Sequence, residues 1–341
     1  MLPRTRLHAS YTCPWLVYGM SWSNAPNEKL LAVTSFTQEY ANQLEILQLH
    51  DHTNTHDDVD MDVQNGSHHP HAMQPRAFVE HPYPATKVLW TTENNSSKLA
   101  TTADYLRIWR VHEDTIQCAA TLSKYQAGEN CSPLTSADWS TADTHILGTS
   151  AVDTSICIWD LNKWKRPKQE IVAHDAEVYD MTFSNCTNIF ASVGGDGTLR
   201  IFDLRNLKSC SIIYESADVC PLIRLTWNKL DQNYIAAMMS EGPSVLVFDV
   251  RKMGTPATEY SQQTTQPGNI NAIAWSSTIP HHICAAGETT GAFTFDVQRQ
   301  DRTPVWSYNG GGNINHLEWS RQHPGLLAMA IDQSVHVVNA Q

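Results

Sequence analysis

The sequence contains no C-x-x-C pair, no H-E-x-x-H, no G-x-S-x-G and no Gly-rich loop closed by Lys. Those absences exclude zinc ribbons and redox dithiols, zinc proteases, hydrolase elbows and P-loop nucleotide enzymes. No apolar run approaches the roughly 18 residues of a spanning helix, and the opening MLPRTRLHAS lacks the apolar centre of a secretory signal. The expectation is an intracellular protein without membrane contact. Basic residues are in deficit: 23 against 35 acids leaves a net charge of −12, which repels nucleic-acid phosphate. Direct nucleic-acid binding is not expected. The eight cysteines (Cys13, Cys118, Cys131, Cys157, Cys186, Cys210, Cys220, Cys284) are scattered, as suits reduced structural thiols. Length alone admits two domains or one large all-β or barrel-type unit.

A repeat is present instead. An alternating apolar strand closing on an aromatic, usually followed by a small polar residue, occurs seven times, ending at Trp22, Trp90, Trp139, Phe183, Trp227, Trp275 and Trp319. Successive separations of 68, 49, 44, 44, 48 and 44 residues match the roughly 40 to 45 residues of a four-stranded propeller blade. Further β-rich runs follow, as in FASVGGDGTLRIFD, and no helical period of about 10 to 15 residues intervenes. The expectation is an all-β, seven-bladed propeller over residues 5–341 as one domain. The last third strand, Val335 to Asn339, would leave an edge, so residues from about Thr5 to Tyr11 are expected to pair with it and close the ring.

The closing dipeptides Trp159-Asp160, Phe202-Asp203, Phe248-Asp249 and Phe295-Asp296 make the chain resemble WD-repeat proteins over nearly its whole length. The resemblance implies a buried tetrad of His, Ser or Thr, Asp and aromatic in each complete repeat. It falls on His174, Ser192, Asp196 and Phe202 in the fourth repeat, and on His81, Thr101, Asp104 and Trp109 in the second. The third has Thr149, Asp153 and Trp159, with Asn130 at the His position. A Ser, a His and an Asp invite comparison with a hydrolase triad, but the set recurs blade by blade and no elbow precedes the serines. No catalytic residue, cofactor or metal is expected; a hydrolase with its site in the central channel is the remaining enzymatic alternative.

Two segments interrupt the repeat. His50 to Arg76 is rich in His and Asp and poor in apolar residues, and is expected to be a disordered, solvated loop rather than a metal site despite six histidines. Lys163 to Lys168 (KWKRPK) is a basic island, more in keeping with a solvated loop than with an import signal.

The words HPYP, PLTS, AHDAEVYD, FASVGGDG, IFDLR, IIYE and HICAA, in this order, are similar to the scaffold family of plant Transparent Testa Glabra and its animal counterpart, a cullin-ligase-associated factor. The resemblance implies a non-enzymatic adaptor of cytoplasm and nucleus, monomeric within larger complexes. It docks regulatory kinases or transcription regulators; the alternative is a substrate receptor of a cullin-RING ubiquitin ligase. Phe202-Asp203-Leu204-Arg205 and Phe248-Asp249-Val250-Arg251 resemble the W-D-x-R element whose Arg meets the ligase adaptor. In a WD disc Tyr83, Asp153, Asp175, Glu177 and Glu288 would share one face; Arg205, Arg251 and the basic island would lie toward the other. The Tyr83 and Glu177 neighbourhood is the expected partner anchor, because aromatics beside exposed acids suit a basic motif.

Overall fold

The computed structural model describes residues 7–38, 41–50, 71–94, 96–126, 129–163, 166–240, 242–261, 268–288, 291–299 and 301–340. β1 (Leu7–Thr12) precedes the first repeat, which forms β2 (Leu16–Trp22), β3 (Leu30–Phe36), β4 (Asn42–Leu49) and β5 (His71–His81). The second forms β6 (Lys87–Trp90), β7 (Lys98–Thr102), β8 (Leu106–His112) and β9 (Thr115–Leu122). The third forms β10 (Leu134–Trp139), β11 (Ile146–Ala151), β12 (Ser155–Asp160) and β13 (Gln169–Val172), and the fourth β14 (Val178–Phe183), β15 (Ile189–Gly194), β16 (Thr198–Asp203) and β17 (Asn206–Glu215). The fifth forms β18 (Leu222–Trp227), β19 (Tyr234–Met239), β20 (Ser244–Asp249) and β21 (Thr258–Ser261). The sixth contributes β22 (Ile270–Trp275), β23 (His282–Gly287), β24 (Gly291–Asp296) and β25 (Pro304–Tyr308), and the last β26 (Ile314–Trp319), β27 (Leu326–Ile331) and β28 (Ser334–Asn339).

The all-β class agrees with the sequence, but the expectation of seven separate blades is corrected. The described residues form five four-stranded sheets and one eight-stranded sheet, ordered β2-β3-β4-β5-β1-β28-β27-β26. β1 runs antiparallel to β28, with Leu7 opposite Val338 and Tyr11 opposite Val335. Its other edge pairs in parallel with β5, Ala9 meeting His71 and Ser10 meeting Ala72. Repeat spacing cannot reveal this second pairing, because it depends on which exposed edges meet, and joining them removes unpaired backbone groups from both.

The expected loop needs a second correction. Residues 51–70 lie outside the described residues, but His71 to Arg76 open β5. Met73 is buried opposite Leu49, and Pro75 sits at an irregularity in the ladder, where a missing N–H is tolerated.

Local chemistry explains the repeat signature. The small polar residue after the aromatic accepts backbone N–H bonds in the turn that follows: Ser140 from Asp143, Ser184 from Cys186, Asn228 from Leu230 and Asp231, Ser320 from His323. Ser, Thr and Asn mimic a backbone acceptor in such turns. The Asp of each W-D or F-D pair does the same two residues on, taking the N–H of Asn162, Arg205, Arg251 and Gln298. In the GGDG turn Gly197 adopts φ +71°, where a Cβ would lie 3.0 Å from the Cys220 carbonyl.

The core lies between neighbouring sheets. Phe183, Phe190 and Phe202 of the fourth repeat pack against Ile146, Ile156 and Ile158 of the third. No helix among the described residues is long and apolar enough to cross a membrane.

Candidate functional site

In the fourth repeat the four tetrad positions converge. His174 Nδ1 lies 3.0 Å from both Asp196 carboxylate oxygens and Nε2 lies 2.8 Å from Ser192 Oγ. Phe202 stacks on Phe190 at 5.1 Å with 8° between planes. Burial opposes ionisation of Asp196, but the hydrogen bond and charge of His174 outweigh it and hold the carboxyl well below its ordinary range. The Arg200 guanidinium lies 2.9 Å from the same carboxylate. Ser192 is 0% exposed, so it cannot act as a nucleophile on any substrate.

The second repeat is wired differently. His81 Nε2 lies 3.0 Å from Thr101 Oγ1, which accepts the Trp109 indole N–H at 2.9 Å. Its Nδ1 meets the Tyr83 carbonyl at 2.6 Å, and a carbonyl only accepts, so Nδ1 carries the proton and Nε2 takes the Thr101 hydroxyl hydrogen. Burial keeps this ring neutral by lowering its pKa. Asp104, at the Asp position of this tetrad, grips Arg107 with both oxygens, and the Tyr83 carbonyl stands at the imidazole Nδ1.

In the third repeat Trp159 donates to Thr149 Oγ1 at 3.0 Å, and Lys124, rather than Asn130, engages Asp153 at 2.7 Å. Burial works against the Asp153 charge, yet bonds from Lys124, Ser155 and Tyr125 bring its pKa down to about 2.

Asp175 and Glu177 occupy the β13–β14 connection with His174, both exposed. Asp175, 84% exposed in its side chain, pairs with Arg200 at 2.6 Å. Tyr83, also exposed, lies in the β5–β6 connection, and in chain order the β9–β10 connection stands between it and the acids. Asp153 and Glu288 follow β11 and β23, at the same end of their repeats as Asp196. Arg205 and Arg251 stand at the other end, beyond β16 and β20; a six-residue strand separates Thr198 from Asp203 by about 17 Å. Each arginine folds onto the Asp two residues before it, at 2.6 and 2.7 Å, and remains mostly exposed. In the basic island, Trp164 and Lys165 lie outside the described residues.

The channel carries residues that the sequence reading passed over. Their signal is simple: positions three before, one before and two after each closing aromatic. They include Lys87, Asp138, Lys229, His316, Glu318 and Arg321, with Asp180 and Arg224 at the same positions of their repeats. At the arginine end several of them line a cavity of about 610 Å³. Burial raises the Glu318 pKa to about 8 and drives that of His316 down to about 3. Asp138 stays below its ordinary range because the Lys229 charge and bonds from Phe183 and Thr182 overcome the effect of burial.

A homologue in Dictyostelium discoideum, "DDB1- and CUL4-associated factor 7 homolog", is 36% identical over 338 residues, covering 96% of this chain and 97% of its own. The chain belongs to this family of WD-repeat proteins. An uncharacterised WD repeat-containing protein of Schizosaccharomyces pombe is 29% identical, covering 86% of this chain, which spans 70% of it. A WD repeat-containing protein of Saccharomyces cerevisiae is 27% identical over 87% of this chain, which spans 59% of that relative. The family "WD domain, G-beta repeat" matches residues 165–203, the span holding the complete tetrad.

Proposed function

We propose that this protein is a non-catalytic scaffold that assembles regulatory complexes in cytoplasm and nucleus, docking kinases or transcription regulators at the tetrad end. The observation that carries the reading is full-length likeness to a factor named for association with DDB1 and CUL4 rather than for a reaction. Two features support it. Ser192 and His174 are buried and bonded to each other, and the tetrad end presents the exposed acids Asp175 and Glu177 to a basic motif.

A second reading, a substrate receptor of a cullin-RING ligase, rests on Arg205 and Arg251. Both are mostly exposed and are held by carboxylates that a partner's acid can replace. Affinity purification with mass spectrometry on three proteins separates the readings. Asp175→Arg with Glu177→Arg is expected to lose kinase or transcription-regulator capture and keep a ligase adaptor. Arg205→Glu with Arg251→Glu is expected to do the opposite. Identical losses, or none in either, would reject the two-face scaffold.

A further inference from the structure

The channel distributes its hydrogen bonds unevenly between acids and cations. Asp138 accepts from the N–H groups of Trp139 and Phe183 and from the Thr182 hydroxyl. Asp180 accepts from the Ser136 hydroxyl at 2.6 Å and from the N–H groups of Met181 and Leu225. Glu318 accepts from Ser21 and from the Trp22 N–H. Neutral donors of the ring therefore satisfy the acids. The cations are not matched in return: among the described residues neither Lys87, Arg224 nor Arg321 has a carboxylate within ion-pair distance. Lys229 alone reaches an acid, Asp138, at 3.4 Å.

Three of these cations, Lys87, Lys229 and Arg321, line the 610 Å³ cavity, and an adjoining space of about 180 Å³ shares Lys87 and Arg321. Asp138 and Glu318 line the same cavity; burial raises the Glu318 pKa toward its neutral form and lowers that of Lys229, so Lys87 and Arg321 are the cations left without a carboxylate partner among the described residues. We propose that this end of the channel is a binding site for a small organic anion bearing phosphate groups, held chiefly by Lys87 and Arg321 within the field of Lys229. The volume is in the usual small-ligand range of about 300–1,000 Å³. The cations come from the second, fifth and last repeats, so they surround the space rather than crowd one point, which favours a ligand with more than one anionic group. Phosphoryl oxygens accept several charge-assisted bonds at once, which Lys and Arg donors match. Apolar walls from Met181 and Leu225, with half-exposed Leu230 at the rim, suit an organic body. On a chain of net charge −12 such a site is a local reversal of sign.

Isothermal titration of the full chain with inorganic pyrophosphate in low-salt buffer tests the proposal without any protein partner, and so independently of the scaffold reading. One saturable site is expected, weakened at least tenfold in Arg321→Gln and in Lys87→Met. Arg321 is exposed, so its replacement leaves folding intact. Lys163→Gln with Lys168→Gln, in the basic island, should bind as the parent does. No binding by the parent, or parent-like binding by both channel variants, would overturn the site. Citrate binding as tightly as pyrophosphate would overturn the phosphate assignment.

Discussion

The second and fourth repeats place a histidine in the same slot and satisfy it with different chemistry. His174 is held by a carboxylate that is itself ion-paired to Arg200, whereas His81 gives its proton to a main-chain carbonyl of its own connection. Conversely, the hydroxyl at the centre of the second repeat links imidazole to indole, a bond Phe202 has no means of making in the fourth. In both repeats each ring nitrogen of the histidine is bonded, as buried polar groups generally are. The particular acid is dispensable wherever another acceptor arrives.

That contrast can be broken in graded steps, each read by urea unfolding. His174→Ala removes the buried ring that bonds Asp196 and leaves Ser192 without that partner; a loss of about 3 kcal/mol is expected. Thr101→Val strips a partner from both His81 and Trp109, and about 2 kcal/mol should go. Asp104→Asn weakens a bidentate pair with the buried Arg107 and should cost about 1 kcal/mol. Equal costs for His174→Ala and Asp104→Asn would show that the two repeats do not differ as described. Acid sharpens the comparison. Because the folded-state pKa of Asp196 is depressed, its contribution is present above the unfolded value near 3.8 and is lost as pH falls below it. The stability gap between the parent and Asp196→Asn should therefore narrow steadily below about pH 4; a constant gap would remove Asp196 from the acid response.

The periodic parts of the molecule were legible in the sequence because each rests on local chemistry. The aromatic, the polar residue after it and the W-D aspartate all act within a few residues, so their spacing survives in the chain. Tetrad positions were legible, but their wiring was not: Asp104 has Arg107 three residues away, and Lys124 reaches Asp153 from another connection. The segment His71 to Arg76 reads as loop because its two apolar residues, Ala72 and Met73, are adjacent rather than alternating and Pro75 follows, yet the edge of β4 pairs with it as a strand. Channel residues went unread for a different reason. In a strand, every second side chain faces the same way, but the inward charges are one or two per repeat and look scattered in the chain until the ring brings them together.

The pairing of β1 with β28 sets a timetable for synthesis. Thr12 leaves the ribosome some 320 residues before Ser334 does, which at ~5–20 residues per second is roughly 15–65 s. Throughout that interval the strand that joins the first and last repeats has no β28 to hold it. Completion of the eight-stranded sheet is thus a late, long-range event. A chaperone acting on this protein has its natural target in the β28-facing edge of β1, made first and paired last.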